Sequence, residues 1–168
     1  MIPLPIYLFV LIELAVVSYG DVKTNKIPNV WSILNIIAFI ALLFVAPDFY
    51  FFRPETFAFS LAFLAVGFVL FLLKIMGGGD SKFLFSLFLL VPLNLHEKVF
   101  YYLLISTVII GGFLLIQNTL KNFKLIWRAI LDGNTREVKS FFGTKFSYAP
   151  VILVTWIWIG VEIRDKLF

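Results

Sequence analysis

The chain contains no cysteine and only one histidine among its 168 residues. The missing thiols exclude disulfides, thiolate nucleophiles and cysteine-ligated zinc. Charge is scarce as well. Asp, Glu, Lys and Arg together make up 14% of the chain, against about 25% in a typical soluble domain. Nucleic acid is therefore not an expected partner, and neither is a soluble globular fold.

Apolar residues fill the space instead. They account for 61% of the chain, phenylalanine alone occurs 21 times, and the mean hydropathy is +1.00. A bilayer crossing takes about 20 mainly apolar residues, so most of this protein belongs in lipid. Six spans are expected, at roughly 2–19, 30–46, 56–73, 82–96, 98–117 and 146–163. The fold class is thus all-α: one polytopic domain over 1–168, a bundle of six transmembrane helices. The third span, "FAFSLAFLAVGFVLFLL", has no charge within it. The fourth is short and carries Pro92, which kinks or ends it. The first lacks the basic start and small-residue cleavage pattern of a signal peptide, and Glu13 sits in its middle. It is read as a permanent helix.

Six spans make the connecting segments alternate between two sides. Lys23, Lys26, Lys74, Lys82, Lys121, Lys124, Arg128, Arg136, Lys139 and Lys145 fall on one side. Arg53, Lys98, Arg164 and Lys166 fall on the other. The positive-inside rule puts the richer side in the cytoplasm and both termini outside. Within 118–145, Leu120, Phe123, Trp127, Ile130 and Leu131 recur at helical spacing with lysines and an arginine between them. That pattern describes a basic amphipathic helix, lying on the membrane or packed against the cytoplasmic end of the bundle. The turn formers "DGN" close it.

Two short stretches on the cytoplasmic side carry acids: "SYGDVKTNKIPN" at 18–29 and "KIMGGGDSKFLF" at 74–85. Gly20 is expected to stop the first helix. Pro28 keeps Ile27 out of the helical region, and Asn29 caps the second helix. Gly77, Gly78 and Gly79 release the third helix and open backbone conformations closed to other residues. Asp80 then stands at the positive end of the fourth helix. Taken singly, Asp21 suits a solvated loop and Asp80 an ordinary helix cap. A phosphate-binding loop is a third option, but the Lys-Ser/Thr pair of a Walker motif is missing.

Taken together, two carboxylates on one face have a chemical use. Held within a few ångströms they share one proton. The ionised member takes a proton from water while the protonated member polarises a peptide carbonyl. Such chemistry calls for no cofactor and no metal.

At this point the sequence resembles a known family. "GGGD" matches the Gly-x-Gly-Asp signature of intramembrane aspartyl proteases. "DVKTNKIPN" is similar to the first-aspartate region of type IV prepilin peptidases, which include archaeal preflagellin peptidases. Lys82 and the "SYAP" before the last span fit the same family. The resemblance runs along essentially the whole chain. It implies that Asp21 and Asp80 are the catalytic pair, with Lys26, Pro28, Asn29, Gly77, Gly78, Gly79 and Lys82 shaping the site. It implies as partners the lipid bilayer and a pilin-like or archaellin-like precursor with an apolar helix. The short basic leader of that precursor is cut off at the cytoplasmic face of the cell membrane. Many bacterial members also methylate the new N-terminus, using a domain with paired Cys-x-x-Cys motifs. This cysteine-free chain resembles the short, peptidase-only branch. Presenilin-like and signal-peptide peptidases place the first aspartate in a Tyr-Asp pair, which Gly20 interrupts here.

The remaining acids and the histidine have simpler expectations. A carboxylate inside a span is costly and suggests a role. Glu13 lies about 12 Å along a helix from Asp21 and marks a possible water path to it. Glu162 is expected to pair with Arg164 or Lys166, and His96 to be a surface residue. The competing functional reading is a small proton or ion transporter that uses Glu13, Asp21 and Asp80. It does not account for "KIPN" or the triple glycine. An assembly scaffold whose acids are mere caps is a third reading.

Overall fold

The computed structural model describes residues 2–72, 76–131 and 147–163. Among them there are six α-helices, one short 3-10 turn and no strand. The helices are α1 (Leu4–Thr24), α2 (Asn29–Val45), α3 (Pro54–Leu72), α4 (Gly78–Leu90), α5 (His96–Leu131) and α6 (Ala149–Glu162). Three stretches are long and apolar enough to cross a membrane: Leu4–Thr24, Pro54–Leu72 and Leu93–Phe123. α2 and α6 are shorter apolar helices.

Apolar side chains face outward over much of the surface. Ile12, Val16, Ile37, Phe44, Phe68 and Val108 are all exposed. Such a surface suits lipid, where outward leucines and phenylalanines cost nothing. Small polar residues face inward instead, among them Ser32 and Asn35 on α2 and Thr56 and Ser60 on α3.

α4 is the axis of the bundle. From Phe83 to Val91 every residue but the half-buried Phe85 is buried, and α2 and α3 pack against it. At 13 residues it is about 20 Å long, short of a bilayer's ~30 Å core. Packed between its neighbours, it exposes little of its own surface. Gly67 of α3 sits against Ser81, where a methyl group would collide with the serine side chain. On the other side, α1 packs on α6 and α6 on α5. Tyr7 and Trp156 lock α1 to α6. Their rings stack at 5.5 Å, and the Trp156 indole N–H donates to the Tyr7 carbonyl at 3.1 Å.

Several sequence expectations change here. α1 runs through Gly20 for another turn and ends at Asn25, whose φ of 50° makes it a left-handed cap. A mid-helix glycine costs about 1 kcal/mol, which an adequate cap further on outweighs. Asp21 is consequently a helical residue rather than a loop residue. The N-cap of α2 is Pro28, and Asn29 is its first helical residue. Of the two effects expected of Pro92 the structure shows the second: it ends α4, and a 3-10 turn, Leu93–Leu95, follows.

His96 is buried, contrary to the surface position expected. Its Nε2–H donates to the Val91 carbonyl at 2.9 Å, and its ring packs edge-on against Phe59 and Phe88. Tyr50 likewise donates to the Leu90 carbonyl at 2.7 Å. Two side chains thus satisfy carbonyls that the end of α4 leaves open.

The segment expected to form an amphipathic helix is helical as far as Leu131, but it is the far end of α5 rather than a separate element. Leu120, Phe123 and Trp127 are exposed on it. Glu162 pairs with Lys98 at 2.7 Å. Its expected partners Arg164 and Lys166 lie outside the described residues, as do Lys74, Arg136, Lys139 and Lys145.

Candidate active site

Both aspartates lie at one end of the bundle, each meeting the start of a helix, α4 for Asp80 and α6 for Asp21. Asp80 is the third residue of α4, and its Oδ2 accepts the Gly77 N–H at 3.1 Å. Asp21, in the last turn of α1, instead serves α6. Its Oδ2 accepts the Ala149 N–H at 3.2 Å, and the Tyr148 backbone contributes a second hydrogen bond. Ser147 Oγ closes the joint by donating to the Asp21 carbonyl at 3.1 Å. Unpaired N–H groups and the helix dipole favour negative charge at both positions. Asp21 is 3% exposed, whereas Asp80 is half-buried. The two carboxyls thus stand at the same end of the bundle, near enough for the charge of Asp21 to reach Asp80.

Two of the three glycines, Gly77 and Gly79, serve space rather than backbone freedom. Gly77 has an ordinary φ of −74°, and none of the three occupies the left-handed region. A β-carbon on Gly79 would stand 2.7 Å from the Ile27 carbonyl oxygen. One on Gly77 would stand 2.9 Å from Asp80 Oδ2, while one on Gly78 would meet only the Phe71 ring at 3.5 Å. The loop after Asp21 therefore rests directly on the backbone before Asp80. That contact brings "KIPN" and "GGGD" together although about fifty residues of sequence separate them. Pro28 and Asn29 start α2 beside this contact. Lys26 and Lys82 are exposed, and neither makes an ion pair among the described residues.

A cavity of about 300 Å³ opens beside Asp80. Phe63 and Leu70 of α3 and Leu84 of α4 give it an apolar wall, and Thr107 and Tyr148 add polar groups. The two hydroxyls are 3.0 Å apart. Tyr148 and Thr107 were missed as individual site residues. Nothing in the sequence around Thr107 distinguishes it, whereas "SYAP" was a usable signal for Tyr148. Among the described residues no three His, Asp or Glu side chains gather as a metal site would need.

The model of the type IV leader peptidase family matches residues 8–116. That covers well over half of the chain, including both aspartates. The chain belongs to this family of peptidases. Neither a curated protein nor a solved structure matches it. The family match ends before α6, yet in this leader peptidase the first turn of α6 holds Asp21.

Proposed function

We propose that this family member is a membrane aspartic endopeptidase with Asp21 and Asp80 as its catalytic pair. The observation that supports the proposal is the placement of both acids at one end of the bundle, with an apolar cavity beside Asp80. The substrate is a pilin-like or archaellin-like precursor. Its basic leader meets the cytoplasmic face of the cell membrane, and its apolar helix stays in the bilayer. The surplus of lysine and arginine on the side of both aspartates supports that orientation.

The peptide carbonyl sits over the cavity, where protonated Asp80 donates to its oxygen. Ionised Asp21, held by the start of α6, takes a proton from a water molecule. The water oxygen bonds to the carbonyl carbon, giving a tetrahedral intermediate. As the C–N bond breaks, the proton taken up by Asp21 passes to the leaving nitrogen, and the proton on the former carbonyl oxygen returns to Asp80. No covalent enzyme intermediate forms. A pair that works only when singly protonated loses activity at both low and high pH.

Purified protein incubated with a pilin-like precursor tests the proposal. Mass spectrometry should find one cut after the leader, unaffected by metal chelators. With S-adenosylmethionine present, the product should gain no methyl group. No cut, or loss of cutting on chelation, would overturn the aspartic reading.

A further inference from the structure

The start of α6 meets both halves of the site at Tyr148, an unusual residue for its position. Tyr148 is the N-cap of α6, yet its side chain makes no capping hydrogen bond. Serine, threonine, aspartate and asparagine suit an N-cap because their short side chains reach the first free N–H groups. Here Asp21 does that work from another helix, accepting the Ala149 N–H at 3.2 Å. On the other flank Ser147 Oγ donates to the Asp21 carbonyl. The backbone on either side of Tyr148 is thus pinned to Asp21, while its phenol takes no part in holding the helix end.

Tyr148 lines the same cavity as Asp80. Its hydroxyl stands 3.0 Å from Thr107 Oγ1. Thr107 Oγ1 in turn donates to the Leu103 carbonyl at 2.6 Å, one turn back on α5. A threonine hydroxyl has a single hydrogen. Thr107 gives its own to Leu103, so Tyr148 is the donor in the pair. Thr107 therefore keeps a partner when Tyr148 turns away from it. The tyrosine hydrogen is free to move to a carbonyl oxygen that enters the cavity, at the loss of one neutral hydrogen bond. A hydrogen bond to an oxygen gaining negative charge is the stronger of the two.

We propose that Tyr148 is a third catalytic residue, whose hydroxyl donates a hydrogen bond to the scissile carbonyl oxygen alongside Asp80. It keeps its proton throughout, and it stabilises the charge that builds on that oxygen as water attacks. This role rests on the peptidase reading above.

Cleavage of a pilin-like precursor by the full chain in lipid tests it, with kcat and KM measured separately. Tyr148→Phe keeps the ring and leaves Thr107 its bond to Leu103. Its kcat should fall about tenfold or more, with KM little changed. Thr107→Val removes the neighbouring hydroxyl at nearly the same size, and its kcat should stay near the wild-type value. A hydroxyl pair that only ties α5 to α6 would make the two variants alike. Unchanged cleavage by Tyr148→Phe would overturn the proposal, and so would a Thr107→Val protein equally impaired. A Tyr148→Phe chain that fails to accumulate in membranes would do the same, by making the phenol a structural strut. A wild-type chain that cleaves nothing would sink the peptidase reading itself. Cleavage by wild type and Tyr148→Phe alike would sink the tyrosine alone.

Discussion

Gly79 and Gly78 are chemically identical neighbours with different duties. Only Gly79 lies where a methyl group would press on the Ile27 carbonyl oxygen, at 2.7 Å. Gly79→Ala should therefore cost about 1–3 kcal/mol of stability, the usual penalty for overpacking, and reduce cleavage with it. Gly78→Ala should be near neutral in thermal unfolding and in activity. Equal effects of the two would show that the loop contact does not organise the site. The sequence made the glycines conspicuous but suggested the wrong reason. Triple glycine reads as conformational freedom, and only the fold reveals which Cα faces another backbone. Asp21 and Asp80 were legible as candidates because each lies in a distinctive motif, "DVKTNKIPN" and "GGGD". Thr107 was not, because a hydroxyl in an apolar run carries no positional signal, whereas "SYAP" marked Tyr148.

Helix ends hold the less legible information. Asn25, not Gly20, stops α1, so Asp21 lies within the last helical turn and aims at α6. The far end of α4 depends on His96, whose imidazole replaces the hydrogen bond a following turn would give Val91. A lone histidine between two apolar runs looks like a loop residue, since neither periodicity nor composition records an open carbonyl. His96→Leu should destabilise the protein by about 1–3 kcal/mol, the cost of leaving a buried acceptor unpaired. His96→Gln, which can still donate, should recover part of that loss. Thermal unfolding in detergent measures both, and an unaffected leucine variant would return His96 to the surface. Helix boundaries were readable to within a few residues for α2, α3 and α6. α5 was not, because its 36 residues extend about 54 Å, well past a bilayer, and the amphipathic pattern at its end resembles a new element.

At the scale of the molecule, the all-α class and the lipid-facing surface follow from composition, and the six helices from the spacing of apolar runs. The division into α1, α5, α6 and α2, α3, α4 does not, because hydropathy says which segments are helices and nothing about which of them touch. The proposed topology places the loop before α2 and the start of α4 in the cytoplasm. Single cysteines at Lys26 and Lys82 should react only with reagents on the cytoplasmic side, and one at Asp48 only from outside. Labelling of Lys26→Cys and Lys82→Cys from opposite sides would break the site apart.

The paired-carboxylate claim has a more direct test. Asparagine preserves the size of aspartate and much of its hydrogen bonding, but it can neither take a proton from water nor share one with its partner. Cleavage of a pilin-like precursor should be compared for the wild type, Asp21→Asn, Asp80→Asn and the double variant, all reconstituted in lipid. Each single substitution should reduce kcat by at least about 10²-fold, with the protein still folded. The double variant should be no worse than either single one, since the two groups act as a unit. Wild-type cleavage persisting in either single variant would contradict the account.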